Sequence, residues 1–296
     1  KKSIMKNKNS NIKVKQTIFI AELGVNHEGD LDVCKSMIIE AKKAGADAVK
    51  IQTFNPAEHY LPDTISYNIF KNCMFSNEDI ASLFLFAKKN DIKLFSTCGD
   101  YETIDFIDSF NPFAFKISSG VSNHLKLINY VAKKKRNIFI STGMSDMKEI
   151  NLLISHLKKI KCLSRTTLMH CVSIYPTDHQ FCNIQFIKTL YDTFNLPIGF
   201  SDHSLGYKAV EVAVSLGSRV IEKHFTLDKK RKGFDHKISL EPDEFMKMVK
   251  SIREIEKILG NGEKLLTKKM ISKIDKMKRV IVAKEKIEIG ERVSNK

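Results

Sequence analysis

Apolar positions along the chain alternate between short continuous or period-two runs and longer stretches spaced by three and four. The short runs, at 17–23, 46–53, 92–97, 113–118, 137–141, 166–172, 196–201 and 219–223, predict eight strands. Helical spacing fills the gaps. From 30 to 44, Asp30 stands as an acidic N-cap, Leu31, Cys34, Ile38 and Ala41 share one face, and Gly45 is the stop. From 242 to 259, Pro242 and two acids open a helix whose stripe is Phe245, Val249, Ile252, Ile255 and Leu259, and Gly260 ends it. Strands each followed by a helix, over roughly 250 residues, predict a (β/α)8 TIM barrel; a doubly wound open sheet is the alternative.

Composition narrows the class. With 296 residues, 43% of them hydrophobic, the chain can bury one large core and a small appendage. No run approaches the roughly 20 apolar residues of a bilayer span. The basic stretch 1–16 lacks the apolar centre of a signal peptide, so a cytoplasmic protein is expected. The six cysteines, Cys34, Cys73, Cys98, Cys162, Cys171 and Cys182, form no CxxC pair and read as reduced packing residues. The net charge of +15 is dispersed in short clusters such as Lys133-Lys134-Lys135-Arg136, without an aromatic platform or a reading helix. That argues against nucleic acid and leaves a field that favours small anions.

In a barrel, polar side chains within strands face the mouth. Strand alternation sends Val49 and Ile51 outward and Lys50 and Gln52 inward, and it turns Lys116 and Glu22 inward as well. Ammonium groups are costly to bury unless paired with charge. Two such lysines, together with Glu22, Gln52, Thr97, Ser141, Ser201 and two histidines on one rim, point to an anion-binding, metal-bearing site. His203 and His224 leave the same ends of neighbouring strands roughly 4.8 Å apart. Two imidazoles so placed could share one divalent metal, or each could merely donate a hydrogen bond at a strand end. His27 and His170 read as hydrogen-bonding scaffold.

The motifs Ile20-Ala21-Glu22-Leu23-Gly24-Val25-Asn26-His27, Ala48-Val49-Lys50-Ile51-Gln52-Thr53, Phe115-Lys116-Ile117-Ser118-Ser119-Gly120, Ser141-Thr142-Gly143-Met144, His170-Cys171-Val172-Ser173-Ile174-Tyr175-Pro176, Ser201-Asp202-His203 and Glu222-Lys223-His224-Phe225 resemble the sialic acid synthase family, which includes N-acetylneuraminate, legionaminate and pseudaminate synthases. The resemblance implies a condensation of phosphoenolpyruvate with an N-acetylated amino sugar to a nine-carbon 2-keto acid and phosphate. It implies a divalent ion, usually Mn2+, with Mg2+ or Co2+ as alternatives, on His203 and His224. It gives Lys50, Lys116, Thr97, Ser141 and Ser201 the phosphate and carboxylate of phosphoenolpyruvate, with Gln52 beside them. Glu22 would steady the cationic intermediate or manage water, and Tyr175 and Asp235 would face the sugar.

A homodimer is implied too, as is a small antifreeze-like domain. The organisation expected is a polar segment at 1–16, the barrel at 17–262, a linker at 263–278 and an incomplete start of that domain at 279–296. Two departures from the family pattern stand out. Val121 occupies a position usually held by glutamate, so a carboxylate expected at the sugar is missing, and Cys98-Gly99 replaces Pro-Phe. A different phosphoenolpyruvate-condensing 3-deoxy-keto-acid synthase and a catalytically silent sugar-binding relative are the rival readings.

Overall fold

The computed structural model describes residues 16–264 and 266–292. Eight parallel strands close into a barrel in chain order: β1 (Ile18–Gly24), β2 (Ala48–Gln52), β3 (Lys93–Thr97), β4 (Ala114–Ile117), β5 (Asn137–Ser141), β6 (Thr166–Cys171), β7 (Ile198–Asp202) and β8 (Val220–His224). Closure is explicit in the pairing of β1 with β8, which runs from Ile18 opposite Val220 to Glu22 opposite His224. An open sheet would leave both strands as edges, so that alternative falls.

Local signals set the helices. Leu31–Lys43 is capped by Asp30, whose carboxylate accepts from the amides of Asp32 and Val33, and Pro242–Leu259 follows its predicted bounds. One connection departs from the simple repeat. Between β2 and the barrel helix Asn77–Lys89 the chain adds two short helices, Pro56–His59 and Ile65–Cys73.

The period of two divides every strand between two cores. Outward residues such as Phe19, Ala21, Val49, Ile51, Phe115 and Ile221 pack against the helices in the larger core. Inward, Ile20, Ala48, Phe95, Ala114, Phe139, Met169 and Val220 fill the barrel as an apolar floor. Two residues further along each of these strands, the inward position becomes polar or small: Glu22, Lys50, Thr97, Lys116, Ser141, Cys171 and Glu222. β7 contributes Gly199 to the floor and Ser201 to the layer above it. Chemistry-bearing side chains thus stand on an apolar plug at the carboxyl ends of the strands, the functional face of this fold.

Among the described residues, 260–264 and 266–292 form a second compact unit. Its helix Lys268–Met277 lies inside the stretch expected to be a linker, and Thr267 caps it by accepting from the Met270 amide. Among the described residues, no helix is long and apolar enough to cross a membrane.

Gly199 is required by the floor: a Cβ there would meet Met169 Sδ at 2.3 Å and Val220 O at 2.9 Å. Gly199→Val is expected to destabilise the protein by about 1–3 kcal/mol, the usual cost of overpacking. Urea unfolding measures it, and an unchanged midpoint would mean that the floor is loosely packed.

Candidate active site

A cavity of about 320 Å³ opens above the polar layer. All eleven residues expected at the site line it: Glu22, Lys50, Gln52, Thr97, Lys116, Ser141, Tyr175, Ser201, His203, His224 and Asp235. Tyr175 is half-exposed at the rim, whereas Lys50 and Lys116 are 2% and 4% exposed. Burial on that scale demands counter-charge.

Each lysine has it. Lys50 Nζ lies 2.7 Å from Glu22 Oε2 and donates to Thr97 Oγ1 at 2.8 Å, while Gln52 Nε2 donates to Glu22 Oε1 at 2.8 Å. Lys116 Nζ lies 3.5 Å from Glu222 Oε1, which also accepts from Ser201 Oγ at 2.9 Å. Burial alone would raise the Glu222 carboxyl, but Lys116 and Lys50 outweigh it and hold the group at about 2. For Lys50, burial acts downward and is outweighed by Glu22 and Glu222, so its pKa is raised. Ser141 Oγ, Glu222 Oε2 and His224 Nδ1 are buried without a hydrogen-bond partner among the described residues.

Glu222 escaped the sequence reading. Only the histidine of Glu222-Lys223-His224 was taken from that motif, yet positions two apart on a strand share a face, so an inward His224 requires an inward Glu222. Cys171, expected to be a packing residue, also lines the cavity, with Sγ 3.2 Å from Ser119 Oγ.

The rings of His203 and His224 are 5.5 Å apart between centroids. His203 Nδ1–H donates to Val172 O at 2.7 Å, so the other ring nitrogen carries the lone pair. Burial and then the neighbouring His224 imidazole hold His203 down to about 3, so at neutral pH no proton competes for that lone pair. Asp235 Oδ2 stands 3.6 Å from His224 Nδ1. These features fit a two-imidazole cation site. Among the described residues no group of three or more His, Cys, Asp or Glu gathers around one point, so water or substrate oxygens would complete the coordination.

His27 and His170 stand apart from this pair. His27 stacks on Phe75 at 4.3 Å and its Nδ1 accepts from the Gly29 amide; His170 Nε2 donates to Cys182 O. The two departures resolve differently. Val121 packs partly buried against the larger core and does not line the cavity, where its neighbour Gly120 does. The gap expected from a missing carboxylate is therefore not on the wall, because the short helical turn Ser119–Val121 aims residue 121 at apolar neighbours. At Gly99 a Cβ would meet His59 Cε1 at 2.1 Å. Glycine there admits the His59 ring, which packs edge-on to Phe54 at 4.8 Å. Phe54, Tyr60 and Phe70 from the β2 connection line the cavity, and Tyr60 and Phe70 stack at 5.4 Å.

Comparison with known proteins is consistent across sequence and structure. Residues 37–264 match the NeuB family. An uncharacterized protein of Methanocaldococcus jannaschii is 43% identical over 278 residues, covering 94% of this chain and 82% of that protein. An N,N'-diacetyllegionaminic acid synthase of Legionella pneumophila is 40% identical, covering 83% of this chain and 74% of its own. The crystal structure of N-acetylneuraminic acid (sialic acid) synthetase from Leptospira borgpetersenii in complex with citrate superposes with a TM-score of 0.85 at 32% identity, over 91% of this chain and 95% of that one. A truncated 3-deoxy-D-arabino-heptulosonate 7-phosphate synthase from Thermotoga maritima, at 12% identity and a TM-score of 0.67, shares the fold.

The buried histidines make metal-free stability depend on pH. Unfolded histidine takes up a proton below about pH 6.5, whereas folded His203 stays neutral down to about 3 and His27 to about 4. The unfolded chain therefore binds more protons in this window, and stability falls as pH drops from 6.5. His203→Gln is expected to flatten the slope of the urea midpoint against pH between about 4 and 6.5. An unaltered slope would place the His203 titration in its ordinary range.

Proposed function

The chain belongs to the NeuB family, and on that premise we propose that it condenses phosphoenolpyruvate with an N-acetylated amino sugar, giving a nine-carbon sialic-acid-like 2-keto acid and phosphate. The observation that carries this reading is the joint placement of two ion-paired lysines and the His203 and His224 imidazoles on the same cavity wall. C3 of phosphoenolpyruvate bonds to the aldehyde carbon of the open-chain sugar, whose oxygen takes up a proton and becomes a hydroxyl. Water adds at C2 and gives up a proton, and the C2–O bond to phosphate then breaks, phosphate leaving with the electron pair as the C2 hydroxyl loses its proton to form the 2-keto group. Lys50 and Lys116 hold the phosphate and carboxylate from the cavity floor, and Ser141 Oγ, free of other partners, adds a donor. Thr97 and Ser201 act through the lysine and glutamate they bond.

Glu22 and Glu222 face the cationic C2 centre and can accept a proton from the attacking water. Tyr175 and Asp235 stand at the rim on the sugar side. His203 and His224 would hold a divalent cation, expected to be manganese, and that ion would supply Lewis acidity to the aldehyde. The rival acting on a phosphorylated sugar would call for a second cationic pocket, and no arginine is among the described residues lining this cavity.

Phosphate release with phosphoenolpyruvate, manganese and a panel of mannosamine-type and diacetamido sugars, with the product identified by mass, tests the reading. No turnover on any sugar would sink it. Lys116→Met is expected to weaken phosphoenolpyruvate roughly tenfold or more while sparing the sugar constant, since a charge-assisted contact contributes about 1.5–3 kcal/mol. A shift confined to the sugar would reverse the assignment.

Charge counting gives a further expectation. The formal charges of Lys50 and Lys116 are cancelled by Glu22 and Glu222, and Asp235 leaves the cavity one unit negative. Without a divalent cation, the floor has no surplus positive charge for a multivalent anion. Stripping metal with chelator should weaken phosphoenolpyruvate by roughly tenfold or more by calorimetry. Equal affinity with and without metal would show that the lysines suffice.

A further inference from the structure

One buried ion pair lies outside the cavity. Lys223 and Asp202 sit opposite one another on β8 and β7, 0% and 1% exposed, with Nζ 2.7 Å from Oδ2. Each is the chain neighbour of a cavity histidine. Asp202 precedes His203 and Lys223 precedes His224, and the alternation that turns the histidines inward turns this pair toward the outside of the barrel.

The pair does more than neutralise itself. The Lys223 ammonium also donates to Ser204 O at 2.5 Å, and Asp202 Oδ1 accepts from the Ser204 amide at 2.9 Å. The turn carrying His203 is therefore gripped on both sides of that residue by groups anchored to β7 and β8. On its other flank, the Thr177 amide donates to His203 O at 3.0 Å. An apolar pair of similar volume would be as stable as a buried salt bridge, or more so. What apolar packing lacks is direction, and direction is what two ligands on separate strands need.

We propose that Lys223 and Asp202 are positioning residues that hold His203 and His224 at the separation at which both imidazoles share one divalent cation. This rests on the cation-binding part of the reading above. The role matches that of groups outside a coordination sphere that orient the ligands within it, whose loss typically costs about 10–100-fold in metal affinity.

The test uses the whole chain, with manganese and phosphoenolpyruvate as probes. The double variant Asp202→Asn/Lys223→Met removes both charges together, so neither is left buried alone, and asparagine keeps an acceptor for the Ser204 amide. It is expected to unfold cooperatively and to bind manganese at least tenfold more weakly by calorimetry. Its phosphoenolpyruvate affinity at saturating manganese should stay within about twofold of wild type, because that anion rests on the far lysines. Asp202→Asn/Lys223→Gln also removes both charges while keeping two polar groups that can face each other; it should lose less, about threefold, and it serves if the methionine double variant does not fold.

Manganese affinity unchanged in a folded variant would overturn the proposal. So would parallel losses of manganese, phosphoenolpyruvate and melting temperature, which would mark general loosening instead. Absence of manganese binding in the wild type would remove the shared-cation reading itself and this role with it. Tight wild-type binding matched by the variants would overturn the positioning role alone.

Discussion

Two ammonium groups buried inside a closed barrel set the terms for everything around them. Lys50 and Lys116 are tolerated there because Glu22 and Glu222 stand beside them, and Glu222 in turn is kept ionised by Lys116 and Lys50. Neither member of a pair survives the loss of the other without leaving a bare buried charge, which is far costlier than the pair. The surrounding hydroxyls and Gln52 are drawn into the same network, so its geometry is fixed before any substrate arrives. A site preorganised in this way does not need to reorient dipoles during reaction.

Much of this was legible because a strand has a period of exactly two residues and a barrel has a single inside. The inward parity of Glu22, Lys50, Gln52 and Lys116 follows from the apolar residues between them, and β5 begins and ends where its sequence pattern does. Glu222 follows by the same rule from the inward His224 two positions further on. The connection after β2 was harder. Its short helices are held by aromatic contacts within the connection and by the space that Gly99, 40 residues further on, leaves for His59, a contact that no local pattern encodes. The direction in which Val121 points is hidden for a related reason. Its side chain is aimed by a turn, and motif comparison supplies the residue type without the direction.

The wall built by that connection also changes the character of the cavity. Its polar layer is charged and its flank is aromatic, through Phe54, Tyr60 and Phe70. Anionic and apolar parts of one reacting assembly would therefore be sorted to opposite sides, which fits the joining of a small anion to a larger acylated sugar.

The layered barrel interior has a consequence for how such a protein can change over time. Each strand offers the polar layer a single inward position, and the floor beneath separates those positions from the contacts that close the barrel. A substitution at Ser141 alters what the cavity presents to a ligand while leaving floor, register and helix packing untouched. Lys50, Lys116, Glu22 and Glu222 are exceptions, with Thr97 and Ser201 bonded to them, because each is bound to a partner on another strand and is exchanged only together with it. Drift in substrate preference should accordingly run through the unpaired positions first, and a change of reaction would require at least two coordinated replacements.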